Sequence, residues 1–275
     1  MDDLPDDNLE DYSREDAAQE DGAAEENGRG RGRLRKGIYL LPNLVTTGAL
    51  FAGFYSVIAA IDGNFVASAW AIFIAMILDG IDGRIARMTS TASDFGKEFD
   101  SLSDMVSFGV APAIVTYQWG VERLSEYGAA WGRLGWLAAF LYVAAAAFRL
   151  ARFNTNVGWQ DRRFFQGLSS TAAAGTVASM IWVSTVYEID GLFGLAAGIS
   201  ITAAAGLLMV SGFRYLSFKD VRPSQRVRFG RLLLIPLVLI VVASHPPLVV
   251  SSLMTAYAAS GPIDWALRRR RRARQ

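Results

Sequence analysis

The sequence predicts an all-α polytopic membrane protein whose chain crosses the bilayer about eight times. Hydrophobic residues make up 52% of its 275 positions, and most of them stand in long runs. About 20 consecutive apolar residues suffice for one helix to span the hydrocarbon core. The segments of this kind are residues 40–61, 65–87, 98–119, 130–152, 169–188, 192–214, 230–245 and 247–267. So much grouped apolar surface favours a membrane protein over a single soluble core.

The two ends of the chain differ in composition from this membrane region. Residues 1–27 are rich in Asp and Glu and poor in aromatic residues, which predicts a disordered acidic tail. Residues 28–37 are basic, so they either attract anionic headgroups or simply anchor the topology. We expect no cleavable signal peptide, because a basic start followed by an apolar core is missing. The membrane catalytic domain is predicted over residues 38–267, with a basic tail over 268–275.

The first apolar segment opens with polar residues. Pro42 suits the first turn of a helix, and Asn43 and Thr46 then lie on one helical face. By residue type alone, these two side chains either cap the helix or contact a ligand.

The second and third segments carry four aspartates. Asp79 and Asp82 are three residues apart, and Asp100 and Asp104 are four apart, so each pair shares a helical face. Ionisable groups at membrane-embedded helix ends are costly and indicate function. Several close carboxylates are most simply stabilised by a hard divalent cation such as Mg²⁺ or Ca²⁺. The alternative is neutralisation by neighbouring cations, which are Arg84, Arg87 and Lys97.

The fourth segment ends in the sequence FRLARFN, in which Arg149 and Arg152 lie three residues apart on one face. They either anchor the helix end at the membrane surface or form an anion pocket. Arginine binds both phosphates and carboxylates with two parallel hydrogen bonds, so either anion would fit.

Two residue types common in active sites are scarce. The chain has no cysteine, which excludes disulfides, a cysteine nucleophile and thiolate metal sites. Its one histidine, His245, precedes two prolines that predict a tight turn between the last two segments. This turn falls on the side opposite the aspartates, so we assign His245 no catalytic role.

Basic residues are distributed unevenly between the two sides of the predicted bundle. With a cytoplasmic N-terminus, the opposite side holds only Arg123 and Arg133 in its loops and helix ends. The cytoplasmic side holds Arg84, Arg87, Lys97, Arg149, Arg152, Arg162, Arg163, Arg214, Lys219, Arg222, Arg226, Arg228 and Arg231. Positive residues favour the cytoplasmic side. We therefore expect a multi-pass protein of the cytoplasmic (inner) membrane, with the aspartates facing the cytoplasm.

The aspartates belong to a longer pattern. The stretch DGIDGRIARMTSTASDFGKEFDSLSD contains D-x₂-D-G-x₂-A-R-x₈-G-x₃-D-x₃-D. Its fixed positions are Asp79, Asp82, Gly83, Ala86, Arg87, Gly96, Asp100 and Asp104. With these residues the chain resembles the CDP-alcohol phosphatidyltransferases, and the resemblance implies their helical membrane fold.

The resemblance implies roles for the acidic residues. Asp79, Asp82 and Asp100 would bind Mg²⁺ or Mn²⁺. Asp104, close to them, is predicted both as a further metal ligand and as general base on an acceptor hydroxyl. The metals would bridge the diphosphate of CDP-diacylglycerol. The nucleotide would lie against residues without bulky side chains, which are Gly83, Ala86 and Gly96. Arg87 would pair with a phosphate or hold an aspartate.

Further motifs resemble the serine-using branch of the family. Members of that branch often begin with a similar Pro-Asn-x-x-Thr, which would place Asn43 and Thr46 near the nucleotide. The segment FQGLSSTAAA (165–174) resembles their second motif, with serine and threonine at the two usual proline positions. Arg149, Arg152 and Asn154 are then expected to bind the acceptor, L-serine.

Alternatives remain at this point. The same chemistry could use glycerol phosphate, inositol phosphate or an archaeal CDP-lipid, and the aspartates could instead serve a metal-ion transporter or stand in an inactive scaffold. The resemblance favours a homodimer in contact with membrane lipids, and no nucleic-acid partner is expected.

Overall fold

The computed structural model of the chain describes residues 41–89, 93–155, 164–189, 191–216 and 242–272. Within these ranges the chain is almost entirely helical, as predicted. The predicted acidic tail, the basic segment before the first helix and most of segment 230–245 lie outside the described residues.

The first two helices, α1 (Leu41–Ile61) and α2 (Phe65–Thr89), are joined by a short turn. Gly63 in this turn has a φ of 75°, which residues with a side chain rarely adopt. The Asn64 side chain then caps α2 by accepting a hydrogen bond of 3.1 Å from the amide of Ala67. The tight turn makes the helices antiparallel neighbours, so the start of α1 lies beside the end of α2.

The next helical stretch, residues 94–125, is continuous but contains two π-helical turns. Its parts are α3 (Asp94–Asp104), a π-helical turn (Met105–Val110), α4 (Ala111–Thr116), a second π-helical turn (Tyr117–Val121) and α5 (Glu122–Ser125). The Ser93 side chain caps α3 by accepting a 3.0 Å hydrogen bond from the amide of Gly96. π-Helical turns are rare and frequently mark functional sites, and the first one here follows Asp104 directly.

The remaining elements complete the bundle. They are α6 (Ala129–Thr155), β1 (Phe164–Gln166), α7 (Ser170–Val186), α8 (Leu192–Val210), β2 (Arg214–Leu216) and α9 (Pro246–Arg272). The strands pair antiparallel, with Gln166 opposite Arg214, and were not predicted. Strand β1 precedes α7 and β2 follows α8. The strand pair therefore holds the start of α7 next to the end of α8. Residues 242–244 are helical and the chain bends at His245. The predicted turn between two membrane segments stays a prediction, because most of the first segment lies outside the described residues.

Helix α7 lies at the centre of the bundle. It packs against α2, α8 and α9, and most of its residues are buried. The side chains of Ala173, Ala174 and Ala178 are fully buried, and such small residues let helices approach closely in lipid. The same effect operates between α6 and α8, where a Cβ on Gly206 would lie 3.1 Å from the Tyr142 Cα.

The number of membrane spans is lower than predicted for the part of the chain that the structure describes. Four helices are long and apolar enough to cross a bilayer, namely Leu41–Ile61, Phe65–Ile85, Ala129–Thr155 and Leu192–Val210. Helix α7 is apolar but has 17 residues, and the stretch 94–125 is divided by its π-helical turns. The apolar helices indicate a multi-pass membrane protein, but eight spans are not confirmed.

Strand β2 is attached to α9 through Tyr215. This side chain is buried, and its hydroxyl donates a 2.9 Å hydrogen bond to the carbonyl of Ala258. Burial raises the pKa of Tyr215 to about 12, so its hydroxyl remains protonated and able to donate. The ring lies so close to Gly261 that a Cβ there would meet it at 2.5 Å. This contact holds the strand pair against the last helix.

Gly53→Ala should destabilise the bundle, because α1 and the first π-helical turn touch at this glycine. An added Cβ would lie 2.7 Å from the Ser107 Cα, a backbone atom that cannot move aside alone. Overpacking of this kind costs about 1–3 kcal/mol. Thermal unfolding in detergent measures the loss. Gly48→Ala is the control, because its Cβ would make only an ordinary 3.4 Å contact with Leu78. Equal melting temperatures for the two variants would contradict the prediction.

Candidate active site

The predicted site residues meet at one end of the bundle. The start of α1, the end of α2, the second half of α3 and the end of α6 come together there, next to the start of α7. These helix ends carry the four aspartates and the arginines that the sequence singled out. His245 lies at the opposite end of the bundle. There, the His245 ring nitrogen Nδ1 is 3.4 Å from the Tyr187 hydroxyl.

Three of the aspartates form a compact acidic triad. Asp79, Asp82 and Asp100 each place one carboxylate oxygen within 4.8 Å of the other two. Asp82 is 4% exposed, whereas Asp79 and Asp100 are half-buried. Three negative groups this close repel one another strongly unless a cation lies among them. A set of carboxylate oxygens fits a hard divalent metal, so the predicted ligands are in a suitable arrangement.

A buried threonine fixes one member of the triad. The Thr46 hydroxyl lies 2.8 Å from Asp82 Oδ2 and 3.0 Å from the Pro42 carbonyl of its own helix. The Thr46 carbonyl in turn accepts a 3.2 Å hydrogen bond from the Ser103 hydroxyl of α3. Thr46 therefore connects α1 to both helices that carry the triad. The sequence predicted Thr46 near the nucleotide but gave no sign of its contact with Asp82.

Asp104 lies outside the compact triad, one helical turn further along α3 than Asp100. It is half-buried and interacts electrostatically with Asp79 and Asp100, and also with Arg149 of α6. Asp104 was also predicted as a metal ligand, but it is not part of the compact set that Asp79, Asp82 and Asp100 form, and its role as a ligand stays a prediction. The π-helical turn that begins after Asp104 changes the direction in which the following side chains point.

Arg149 faces the site from α6. Its Nη1 donates a 3.1 Å hydrogen bond to the hydroxyl of Ser170, which is 2% exposed at the start of α7. Its Nε is buried and lacks a hydrogen-bond partner among the described residues. The guanidinium also interacts electrostatically with Asp104 and with Tyr257 of α9. A buried donor without a partner is costly, and an anionic ligand would satisfy it.

The other two predicted acceptor residues make contacts within the protein. Arg152 donates a 2.9 Å hydrogen bond from Nη2 to the Gln166 carbonyl and a 3.4 Å one from Nη1 to the Val210 carbonyl. Asn154 donates a 3.0 Å hydrogen bond from Nδ2 to the Ser101 hydroxyl of α3. Arg152 thus ties α6 to β1 and α8, and Asn154 ties it to α3. Their contact with an acceptor stays a prediction.

The predicted nucleotide residues lie around the triad. A Cβ on Gly96 would come 3.2 Å from Asn43 Oδ1, so α3 passes closely over the start of α1 at this glycine. The backbone of Gly83 hydrogen-bonds the Asp82 carboxylate. The predictions for Ala86 and Arg87 concern side chains outside the part of the chain that the structure describes. Contact of these residues with a nucleotide stays a prediction.

Two residues that sequence reasoning missed belong to the same site. Ser170 lies within the FQGLSSTAAA segment, whose likeness to a known motif was the one available signal. Tyr257 had no such signal, because its approach to Arg149 depends on how α9 packs across the bundle. Ser170 accepts a hydrogen bond from Arg149, and Tyr257 interacts with it electrostatically.

Comparison with known proteins gives a consistent result. Residues 39–210 match the model of the CDP-alcohol phosphatidyltransferase family. A CDP-diacylglycerol–serine O-phosphatidyltransferase of Helicobacter pylori J99 is 36% identical, over 83% of this chain and 92% of that protein. One of the same name from Mycobacterium leprae is 38% identical, over 56% of this chain and 50% of that protein. An archaetidylserine synthase of Methanothermobacter thermautotrophicus is 32% identical, over 64% of this chain and 69% of that protein. The matched region contains the acidic triad, Asp104 and Arg149.

Proposed function

The chain belongs to the CDP-alcohol phosphatidyltransferase family, and on this premise we propose that it transfers a phosphatidyl group from CDP-diacylglycerol to L-serine. The family consists of enzymes, so the chain is a transferase of phospholipid biosynthesis. The products of the proposed reaction are phosphatidylserine and CMP. The names of the Helicobacter and mycobacterial relatives support both the donor lipid and the acceptor.

The observation that carries the kind of acceptor is that Asp104 and Arg149 are close enough for their charges to interact. L-Serine has a hydroxyl that must lose a proton and a carboxylate that needs a cation, and the two groups are close together in the molecule. Among the described residues, the buried Nε of Arg149 has no hydrogen-bond partner. An acceptor without an anionic group would leave this donor unsatisfied, which is unfavourable. Glycerol phosphate and inositol phosphate also carry an anionic group, so the names of the relatives support L-serine among these acceptors.

In the proposed reaction Asp104 accepts the proton of the serine hydroxyl. The serine oxygen then attacks the β-phosphorus of CDP-diacylglycerol, a new P–O bond forms, and the P–O bond to CMP breaks. Arg149 holds the serine carboxylate, and Thr46 keeps the Asp82 carboxylate oriented. Such positioning supplies much of the acceleration.

The acidic triad would hold Mg²⁺ or Mn²⁺, because its three carboxylates offer the oxygen ligands that these ions prefer. When bound, the metal would neutralise charge on the diphosphate and stabilise the departing phosphate. Asp104 lies close enough to interact with the triad but outside its compact set. We therefore assign Asp104 to proton transfer first, and treat it as a metal ligand only if metal binding depends on it.

We place the site at the cytoplasmic face of the inner membrane. Among the described residues, the site end of the bundle carries Arg84, Lys97, Arg149, Arg152 and Arg214. The far end carries Arg123 and Arg133, so the charge bias follows the rule for cytoplasmic loops. A homodimer, which the family resemblance implies, belongs to the same proposal and is tested by light scattering of the purified protein.

A panel of acceptors tests the proposed function. Purified protein is incubated with labelled CDP-diacylglycerol, a divalent metal and one acceptor at a time: L-serine, glycerol 3-phosphate or inositol phosphate. We expect CMP release with L-serine and none above background with the others. Release with glycerol 3-phosphate but not with L-serine would overturn the acceptor and leave the family chemistry intact. Release without any acceptor would indicate hydrolysis instead of transfer.

One comparison supports a second candidate for the donor lipid. The Methanothermobacter relative is named as an archaetidylserine synthase, so CDP-lipids with ether-linked chains are reasonable donors for the same site. The same assay with an ether-linked CDP-lipid distinguishes the two donors. We expect faster release from CDP-diacylglycerol, because the relative that covers most of this chain carries that donor in its name. Faster release from the ether lipid would reverse this assignment.

Thr46→Val should weaken metal binding, because it removes the hydroxyl that lies 2.8 Å from Asp82. Loss of a group that orients a metal ligand costs about 10- to 100-fold in metal affinity or activity. The Mn²⁺ concentration at half-saturation, followed by electron paramagnetic resonance, measures the change. Thr47→Val is the matched control, because this exposed hydroxyl donates only to the Asn43 carbonyl of its own helix. An equal Mn²⁺ requirement in both variants would show that Thr46 does not position the ligand.

A further inference from the structure

A basic groove lies where strand β2 meets the last helix. Its volume is about 330 Å³, and it shares none of its lining residues with the site described above. The side chains that matter are Phe213, Arg214, Asp264, Trp265, Arg268 and Arg269. With three arginines and one aspartate, the groove carries a net positive charge.

The groove is built from side chains that hold one another in place. Arg268 Nε lies 2.8 Å from Asp264 Oδ2, one helical turn away. The Arg269 guanidinium lies 5.3 Å from the centre of the Trp265 ring, in the geometry of a cation–π contact. The Phe213 and Trp265 rings meet edge to face at 5.8 Å, which joins the chain leaving α8 to α9. The arginines are therefore presented on a supported surface.

The lining of the groove is aromatic in one part and basic in another. Phe213 and Trp265 supply the aromatic part, and Trp265 is 50% exposed, while Ile263 and Leu267 are exposed on the opposite face of α9. Arginine next to exposed tryptophan is typical of the boundary between hydrocarbon and water. The groove thus lies where lipid headgroups are found, at the end of the bundle where β1 and β2 connect α7 and α8.

We propose that this groove binds the headgroup of an anionic phospholipid from the surrounding leaflet. The guanidinium groups match a phosphodiester because arginine donates two parallel hydrogen bonds to phosphate oxygens. The exposed Trp265 ring beside the arginines offers an apolar surface for the first part of the acyl chains, which a soluble anion would not use. Asp264 neutralises Arg268 in part and so limits the attraction. This binding site goes beyond the proposed transfer reaction and does not depend on its acceptor.

Lipid titration of the full-length protein in detergent, followed by native mass spectrometry, tests the proposal. The probes are phosphatidylglycerol and, for comparison, phosphatidylcholine with the same acyl chains. We expect Arg268→Gln to weaken phosphatidylglycerol binding about tenfold, since hydrogen bonds from a guanidinium to a phosphate contribute at least about that factor. Asp264→Asn should strengthen phosphatidylglycerol binding, because it removes the negative charge that neutralises Arg268 in part. Phosphatidylcholine binding should change in neither variant.

Arg270→Gln is the matched control, because it removes the same charge from the same exposed helix end without lining the groove. We expect it to leave phosphatidylglycerol affinity almost unchanged. Equal losses in Arg268→Gln and Arg270→Gln would overturn the proposal, because they would indicate diffuse surface charge and no site. Displacement of phosphatidylglycerol by inorganic phosphate alone would also overturn it, because the groove would then be a simple anion site. Retained CMP release in every variant verifies that each one is folded.

Discussion

Asp104→Asn is expected to lower the rate of transfer by about a thousandfold while CDP-diacylglycerol still binds. Asparagine has nearly the same size as aspartate, so the fold of α3 should persist. It cannot accept the proton of the serine hydroxyl, and positioned proton transfer contributes about this factor to catalysis. Because Asp104 lies outside the compact triad, binding of the metal and of the donor lipid should be retained.

Three measurements separate the possible roles of Asp104. CMP release reports turnover, equilibrium binding of labelled CDP-diacylglycerol reports donor affinity, and Mn²⁺ titration reports metal affinity. Asp94→Asn is the control, because it makes the same chemical change at the exposed start of the same helix. A large loss of Mn²⁺ affinity in Asp104→Asn would make this residue a metal ligand. A loss of donor binding as large as the loss of turnover would contradict the role of general base.

The acidic site could be predicted because helical spacing decides which side chains share a face. Asp79 and Asp82 were expected on one face of α2, and α2 does carry them into the triad. Spacing could not show that α2 and α3 converge, because that depends on packing between segments distant in sequence. The likeness of the whole signature to a known family supplied this step. The structure agrees with it, since Asp100 of α3 joins the two aspartates of α2.

The parts that could not be predicted depend on tertiary contacts or on backbone geometry without a sequence signal. The hydrogen bond from Thr46 to Asp82 joins residues 36 positions apart. The hydrogen bond that the Thr46 carbonyl accepts from Ser103 involves a third helix. Strands β1 and β2 have three residues each, which is too few for a recognisable alternation of apolar and polar residues. Arg152 was expected to bind an anion, but its type and spacing could not reveal the two carbonyls that it contacts.

The span count shows a limit of hydropathy alone. Segment 98–119 has the length and composition of a membrane helix, yet the structure divides this stretch by two π-helical turns. Segment 169–188 was placed correctly as α7, but α7 is shorter than a regular span and lies buried among its neighbours. A helix surrounded by other helices and one surrounded by lipid are equally apolar, so composition cannot distinguish them.

The acceptor site leads to the second large effect, which concerns Arg149. Arg149→Gln should raise the KM for L-serine by about thirtyfold, because a hydrogen-bonded charge pair contributes about 2 kcal/mol. The KM for CDP-diacylglycerol should change little, since the donor diphosphate is expected at the triad. Arg149→Lys should recover part of the loss, because lysine keeps the charge but lacks the planar pair of donors. Initial rates of CMP release at varied L-serine and at varied donor measure both constants.

Arg152→Gln is the matched control, since it makes the same change one helical turn away. The Arg152 guanidinium donates to the Gln166 and Val210 carbonyls, so its loss should lower the melting temperature and raise the KM for L-serine much less than Arg149→Gln does. The opposite outcome, a raised L-serine KM in Arg152→Gln and a normal one in Arg149→Gln, would move the carboxylate site to Arg152. Equal increases in both KM values for Arg149→Gln would mean that Arg149 binds the donor phosphate. Only a selective effect on L-serine supports the role proposed for Arg149, whose buried Nε has no hydrogen-bond partner in the described part of the chain.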